Sequence, residues 1–422
     1  MIFLTLYIDL IGFSVAFPLA PRMLQYYLEK ETEGGPLSWI LTRIQAVTPP
    51  AADSDFFVAA LLGGILASLF GFLQFLFAPI WGARSDRVGR RPVLLMTVAG
   101  TALSYALWAF SGSFWLFILS RILGGAMSGN LSVATAAVAD VTTRENRAKG
   151  MGIVGAAFGL GFITGPAIGG AIGAVEPTPE LARLGFNPFS VVALVAFAFS
   201  ILNLFWIARR FTETLPQGQP GRAASDRLRN PFAALFRLGN AATRRANVAY
   251  FLFAVIFSAF EATVSFLAAE RLGYNERMLV WIFVFIGFVS IMTQGFLVRR
   301  LMPRIGEKTG ANTGFLFVAA GLALLSLAQT PLAMYCGLGV LGIGSGFANV
   351  GLSSLVSLYS GAEEQGRALG IYRSLGSLAR ALGPLWAGLV FWWYKSQPTY
   401  TVAALLMLLP FLVGIRLPKP TK

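Results

Sequence analysis

Long apolar runs recur along the whole sequence. Each is long enough to cross the roughly 30 Å hydrocarbon core of a bilayer as a helix. In lipid a spanning backbone must satisfy its own hydrogen bonds, which favours helices here. The sequence therefore predicts an all-α polytopic membrane protein with twelve transmembrane helices. The predicted spans lie at about 2–24, 57–81, 92–110, 113–139, 151–174, 188–208, 247–269, 278–298, 311–329, 331–359, 368–394 and 399–415.

The composition limits the chemistry of the chain. It is 56% hydrophobic and 12% charged, against the roughly 25% charged residues of soluble domains. The sequence has no histidine, which excludes an imidazole proton relay and a histidine metal site. Its single cysteine, Cys336, excludes an internal disulfide. We therefore expect no metal and no cofactor, and any proton chemistry must use carboxylates.

The meaning of the net charge of +14 depends on where the basic residues lie in the sequence. With both termini placed in the cytoplasm, 23 of the 33 Lys and Arg residues fall in cytoplasmic segments, seven fall outside and three lie within spans. This is the positive-inside bias of a membrane protein. Membrane topology therefore explains the positive charge, and we expect no nucleic-acid partner. We expect a monomer in the lipid bilayer, in the plasma membrane, with both termini cytoplasmic.

The two halves of the sequence resemble each other. Arg-Ala-Lys-Gly at 147–150 precedes Gly-Pro at 165–166, and Arg-Ala-Leu-Gly at 367–370 precedes Gly-Pro at 383–384. Repeats in the same orientation predict two pseudo-symmetric six-helix bundles with a central site between them. The predicted domains are an N-terminal bundle at 1–207, a cytoplasmic linker at 208–246 and a C-terminal bundle at 247–422.

Two motifs in the N-terminal half are specific. The loop after the second span reads Gly-Ala-Arg-Ser-Asp-Arg-Val-Gly-Arg-Arg-Pro from Gly82, and it resembles the signature loop of the major facilitator superfamily. The fifth span has glycines spaced around Pro166, similar to the antiporter motif of drug:proton exchangers in that superfamily. The resemblance implies conformational gating by Gly82, Asp86, Arg87, Gly89, Arg90, Arg91, Gly161, Gly165 and Pro166.

Further motifs resemble the same exchangers. Asp9 and Gly12 in the first span and Arg121 in the fourth are similar to their acidic and arginine motifs. The pattern at 373–384 is similar to that of tetracycline transporter-like proteins. This resemblance covers essentially the whole chain and implies the major facilitator fold, with Arg121 taking part in proton coupling.

Five charged residues interrupt the spans, namely Asp9, Arg121, Glu261, Arg373 and Arg380. Such charges usually face a cavity or a partner, since each costs about 2.5 to 3.5 kcal/mol at mid-membrane on insertion scales. Arg373 and Arg380 are seven residues apart and share a helix face. That face could meet a cavity or the first, second or seventh helix. Three arginines against two carboxylates favour an amphipathic organic anion.

Glu261 lies near the middle of the seventh span among phenylalanines, and two interpretations of it stay open. It is a proton carrier, or it forms a fixed ion pair with Arg121 or Arg380. Asp9 is either a second carrier or a pairing residue. The predicted substrate contacts are Phe13, Phe17, Asn130, Phe257, Phe260, Arg373 and Arg380.

The sequence thus predicts a secondary transporter, a proton-coupled antiporter that exports amphipathic organic compounds by alternating access. The alternative on the same fold is a facilitator or importer of a specific small metabolite. A receptor or scaffold has no need for charges inside lipid. An enzyme is excluded because the chain has no nucleophile, metal or phosphate constellation.

Overall fold

The computed structural model describes residues 1–30, 38, 42–43, 55–142, 147–215, 240–361 and 365–419, whose regular structure is all helical. Eleven helices in these residues are long and apolar enough to cross a membrane. The predicted span 151–174 falls in a further helix whose apolar part is Gly159–Ile172. The prediction of an all-α polytopic membrane fold is confirmed. The helices are α1 (Ile2–Lys30), α2 (Asp55–Val88), α3 (Arg90–Ala109), α4 (Phe114–Met127 and Asn130–Val141), α5 (Arg147–Ile172), α6 (Ser190–Arg210), α7 (Ala241–Leu272), α8 (Glu276–Ile305), α9 (Glu307–Leu327), α10 (Pro331–Tyr359), α11 (Gln365–Tyr394) and α12 (Ser396–Ile415).

The helix boundaries repeat between the two halves. Gly89 separates α2 from α3 with φ 110° and ψ 155°, and Gly306 separates α8 from α9 with φ 79° and ψ 156°. Only glycine adopts such positive φ values readily. Ser113 caps α4 and Thr330 caps α10, each accepting the N–H three residues further on. Both pairs are 217 positions apart, so the sequence repeat is also a repeat of turn and cap geometry.

The glycines of α5 form a surface against which α1 packs. A Cβ on Gly161 would lie 2.5 Å from Leu10 Cβ, and one on Gly165 would lie 2.8 Å from the Ile11 carbonyl oxygen. The Ser14 hydroxyl donates to the Gly161 carbonyl oxygen over 3.0 Å. Small residues allow this approach in lipid, where van der Waals packing and interhelical hydrogen bonds hold helices together. Pro166 lies inside the same helix.

The equivalent contact joins α7 to α11. The Ser258 hydroxyl donates to the Ala379 carbonyl oxygen over 2.9 Å. A Cβ on Gly383 would overlap the Ser258 hydroxyl and the Val255 carbonyl oxygen, and it would lie 2.9 Å from the Ala259 nitrogen. A serine on one helix therefore bonds a backbone carbonyl on its partner in both halves.

The described residues belong to two compact units. Unit 1 comprises Met1–Thr48, Leu69–Arg227 and Asn275–Val284, and unit 2 comprises Pro49–Ser68, Leu228–Tyr274 and Phe285–Lys422. Helices α2 and α8 thus each contribute residues to both units. Within the predicted linker, residues 216–239 lie outside the described residues. The boundaries at 207 and 247 stay a prediction.

Candidate functional site

A polar pair in unit 1 joins α1 to α4. Helix α4 is interrupted at Gly129, where a Cβ would lie 2.5 Å from the Trp81 ring. Asn130 begins the next helical segment and is buried. Its side-chain amide donates to Asp9 Oδ1 over 2.9 Å. The interruption therefore sets a neutral donor against the carboxylate of α1, and two of the predicted site residues are in direct contact.

Arg121 is held by aromatic rings. Its guanidinium carbon lies 4.9 Å from the ring centroid of Trp108 and 5.2 Å from that of Phe117. Such cation–π contacts are stronger away from water. Tyr105, on α3, interacts electrostatically with both Asp9 and Arg121. The two charged residues of unit 1 are therefore linked across one tyrosine.

An aromatic cluster adjoins Asp9 along α1. Phe13 follows Asp9 by four residues and shares its face of the α-helix. Phe17 lies in the short 3₁₀ segment Phe17–Leu19 that follows. The ring centroids of Phe13 and Phe17 are 5.3 Å apart. Phe13 also lies 5.4 Å from Phe70, and Phe17 lies 5.6 Å from Phe162. The predicted apolar contacts of α1 thus form one connected surface beside the carboxylate.

Tyr250 interacts electrostatically with the predicted charged residues of unit 2. Glu261 on α7 interacts electrostatically with Arg380 on α11, and Tyr250 interacts with both. Tyr250 also interacts with Arg373, and its ring stacks on Tyr372 with centroids 3.5 Å apart. Both arginines of the predicted shared face therefore interact electrostatically with residues of α7.

The predicted aromatic contacts of unit 2 lie beside Glu261. Phe257 stacks on Phe253 with ring centroids 5.6 Å apart and lies 5.8 Å from Phe260. Phe260 is buried, whereas Phe257 is half-buried and lies one helical turn before Glu261. Phe257 therefore shares the face of the carboxylate, and Phe260 is packed within the protein.

Arg90 organises the loop between α2 and α3. Its guanidinium donates to Asp86 Oδ1 over 2.6 Å and to Asp140 Oδ2, at the end of α4, over 2.8 Å. It also donates to the Ser85 hydroxyl. The side chains of Arg90 and Asp86 are only 4% and 5% exposed. A buried cation with two carboxylates ties α2, α3 and α4 together.

The other predicted gating residues of this loop have separate roles. Arg91 donates to the Ala208 carbonyl oxygen at the end of α6 over 2.6 Å. A Cβ on Gly82 would lie 3.2 Å from the Ser132 hydroxyl. Arg87 is exposed. The loop is therefore attached to α4 and α6 as well as to its own helices.

A carboxylate from beyond α6 completes the loop. Glu213 accepts four backbone N–H groups, from Arg90 over 2.8 Å, Arg91 over 3.1 Å, and Thr214 and Leu215 over 3.0 Å each. Partial burial raises the pKa of Glu213, but these donors outweigh it and lower the pKa below its ordinary value. The negative charge lies at the N-terminus of α3, where the helix dipole favours it.

Gly89 provides the space for this contact. A Cβ at this position would lie 2.5 Å from Glu213 Oε2. Its positive φ already favours glycine. The glycine of the loop therefore meets both a backbone and a packing requirement.

We expect Arg90→Gln to destabilise the protein by about 3–5 kcal/mol, because it leaves two carboxylates, Asp86 and Asp140, without their buried cation. Thermal unfolding of the purified protein in detergent measures the change. Arg84→Gln is the control, since Arg84 is an exposed arginine of the same segment; its effect should stay within about 0.5 kcal/mol. Equal effects of the two substitutions would contradict the role assigned to Arg90.

Several residues of the site were not predicted from the sequence. Asp140 and Glu213 lie at helix ends, where acidic residues are common, and their partner is distant in the chain. Tyr105 and Tyr250 stand in apolar runs, where a tyrosine has no distinguishing signal. One clue was available for Glu213, since a lone carboxylate follows the basic end of α6.

Comparison with known proteins agrees with this architecture. The Major Facilitator Superfamily profile matches residues 2–418. Major facilitator superfamily domain-containing protein 10 of Mus musculus is 34% identical over 100% of this chain and 93% of its own length. The class B tetracycline resistance protein of Escherichia coli is 30% identical, with 78% of each chain covered.

A solved structure is similar over almost the same length. The crystal structure of the human organic anion transporter MFSD10 (TETRAN) has a TM-score of 0.75 and 33% identity, covering 98% of this chain and 97% of that chain. The superfamily consists of transporters, which agrees with the exclusion of an enzyme. The chain is therefore a multi-pass membrane transporter that belongs to the Major Facilitator Superfamily.

Proposed function

We propose that this transporter is a proton-coupled antiporter that exports amphipathic organic compounds, with a preference for organic anions. The observation that carries the proposal is that in each unit one tyrosine interacts electrostatically with both a carboxylate and an arginine. In unit 1 these residues are Tyr105, Asp9 and Arg121. In unit 2 they are Tyr250, Glu261 and Arg380.

Asp9 is suited to carry a proton because its hydrogen-bond partner is a neutral group. Asp9 accepts its hydrogen bond from an amide, which can also bond the protonated acid. Protonation of Asp9 therefore does not leave a buried arginine without its salt-bridge partner. Asp9 and Glu261 are the proposed carriers, and Arg121 couples proton binding to the substrate.

The balance of charge supports an anionic substrate. When Glu261 is ionised, the group that it forms with Arg373 and Arg380 carries one excess positive charge. An anion can therefore bind while Glu261 is still ionised. Antiport demands this, because substrate and proton must bind alternately. The aromatic surfaces of Phe13, Phe17 and Phe257 would contact the apolar part of the compound. The organic anion transporter similar to this chain is consistent with the proposal.

The proposed location is the plasma membrane, with both termini in the cytoplasm. The support is the excess of Lys and Arg in alternate loops, 23 against seven. Chemical labelling of single cysteines introduced near residue 2 and in the 177–187 loop, in a Cys336→Ser background, reports the orientation.

Proton movement tests the proposal directly. The purified protein is reconstituted in vesicles with a pH-sensitive dye, and an aromatic sulfonate or a quaternary ammonium dye of similar size is added outside. Antiport requires proton movement opposite to that of the substrate, and anion preference requires a larger response to the sulfonate. Counterflow of substrate without proton movement would indicate a facilitator instead. Movement of protons in the same direction as the substrate would indicate a symporter.

A further inference from the structure

An unassigned groove lies at one end of unit 2, between the start of α7 and the end of α12. It has a volume of about 490 Å³. Arg244, Arg245 and Arg416 stand along it, and Val248, Leu412 and Val413 form its apolar wall. It is separate from the charged groups around Tyr250.

The arginines make this corner strongly positive. Arg244 and Arg245 lie in the first turns of α7, where the helix dipole is positive, and the first turn carries no acidic residue. Arg245 donates to the Arg416 carbonyl oxygen over 3.5 Å. This contact links the two helix ends, so that all three cations are presented together.

The apolar wall continues from these cations toward the middle of the span. Val248 is one turn further along α7, and Leu412 is one turn before Arg416 on α12. Leu412 is 55% exposed, so its side chain is available to a lipid tail. The two helix ends also lie on the side that the charge bias predicts to be cytoplasmic, where the leaflet is negative.

We propose that this groove binds an anionic phospholipid, with the phosphate against the three arginines and an acyl chain along Val248 and Leu412. The charge selects the headgroup, and the apolar wall distinguishes a lipid from a soluble phosphate. Each basic residue near an anionic surface contributes about 1 kcal/mol. Loss of one arginine therefore weakens lipid binding roughly fivefold, and loss of all three roughly a hundredfold.

The test uses the purified full chain in mild detergent. Phosphatidylglycerol, phosphatidylcholine and inorganic phosphate are titrated separately, with thermal stability and native mass spectrometry as readouts. The variants are Arg416→Gln, the triple Arg244→Gln/Arg245→Gln/Arg416→Gln, and Leu412→Gln, which keeps every charge but makes the wall polar. The matched control is Arg299→Gln/Arg300→Gln, an exposed pair of arginines on α8.

We expect the wild-type protein to retain phosphatidylglycerol in preference to phosphatidylcholine. Phosphatidylglycerol binding should weaken progressively in the arginine variants and should also weaken in Leu412→Gln. It should be unchanged in the control variant. If the triple variant does not fold, Arg416→Gln and Leu412→Gln give the result, since both replace exposed side chains. Equal binding of phosphatidylcholine, equal stabilisation by inorganic phosphate, or an equal loss in the control would each overturn the proposal.

Discussion

Glu261→Gln should reduce uphill transport driven by a pH gradient to the background of empty vesicles, while downhill exchange of substrate continues. Glutamine keeps the shape of the side chain but does not ionise, so it cannot take up and release a proton during the cycle. Glu261 lies within the spanning segment of α7 and interacts electrostatically with Arg380. Its loss therefore removes one of the two proposed carriers without removing the arginines. The measurement is accumulation of the substrate in vesicles, with and without the gradient.

Two further variants make this experiment specific. Glu261→Asp retains an ionisable group and should keep part of the coupled transport. Glu180→Gln changes an exposed carboxylate in the short helix Pro179–Arg183 and should transport at the wild-type rate. Size-exclusion chromatography shows whether each variant is folded. Undiminished uphill transport by folded Glu261→Gln would remove this residue as the carrier.

A single methyl group at Gly383 should destabilise the protein by about 1–3 kcal/mol or more, through overpacking between α7 and α11. In Gly383→Ala the added Cβ meets the Val255 carbonyl oxygen and the Ala259 nitrogen. Both are backbone atoms, so a rotamer change on α7 cannot make room. The two helices must separate, which also strains the Ser258 to Ala379 hydrogen bond. Thermal unfolding and expression level report the loss.

The same helix supplies the matched control. A Cβ on Gly370 would have nothing within 4 Å, so Gly370→Ala should gain about 0.5–1 kcal/mol from the lower backbone entropy of the unfolded chain. The two substitutions are chemically identical and are expected to have opposite signs. A stabilising effect of Gly383→Ala would show that α7 and α11 are not packed as described.

Hydropathy predicted the spans because lipid requires apolar length, but several helices extend beyond the apolar runs. Helix α2 continues to Val88, through the basic loop motif, because backbone hydrogen bonds continue where hydropathy stops. The same argument extends α7 back to Ala241. Charged residues near a span boundary indicate the membrane surface rather than the end of a helix.

The residues of the candidate site were more predictable than their partners. A charge inside an apolar run is conspicuous, so Asp9, Arg121 and Glu261 could be selected from the sequence. The structure pairs Asp86, a residue of the predicted gating loop, with Arg90, and it places Glu213 at the start of α3. A contact over more than one hundred positions leaves no local pattern, so only the fold reveals it.

The attachment of Glu213 to α3 bears on how the chain can be divided. A gene split for co-expression of two fragments would naturally be cut at the last residue of α6, Arg210. That cut would separate the Glu213 carboxylate from two of the four backbone N–H groups that donate to it, those of Arg90 and Arg91. A cut after Leu215 keeps the N-terminal fragment intact, and complementation by the two pairs of fragments should differ accordingly.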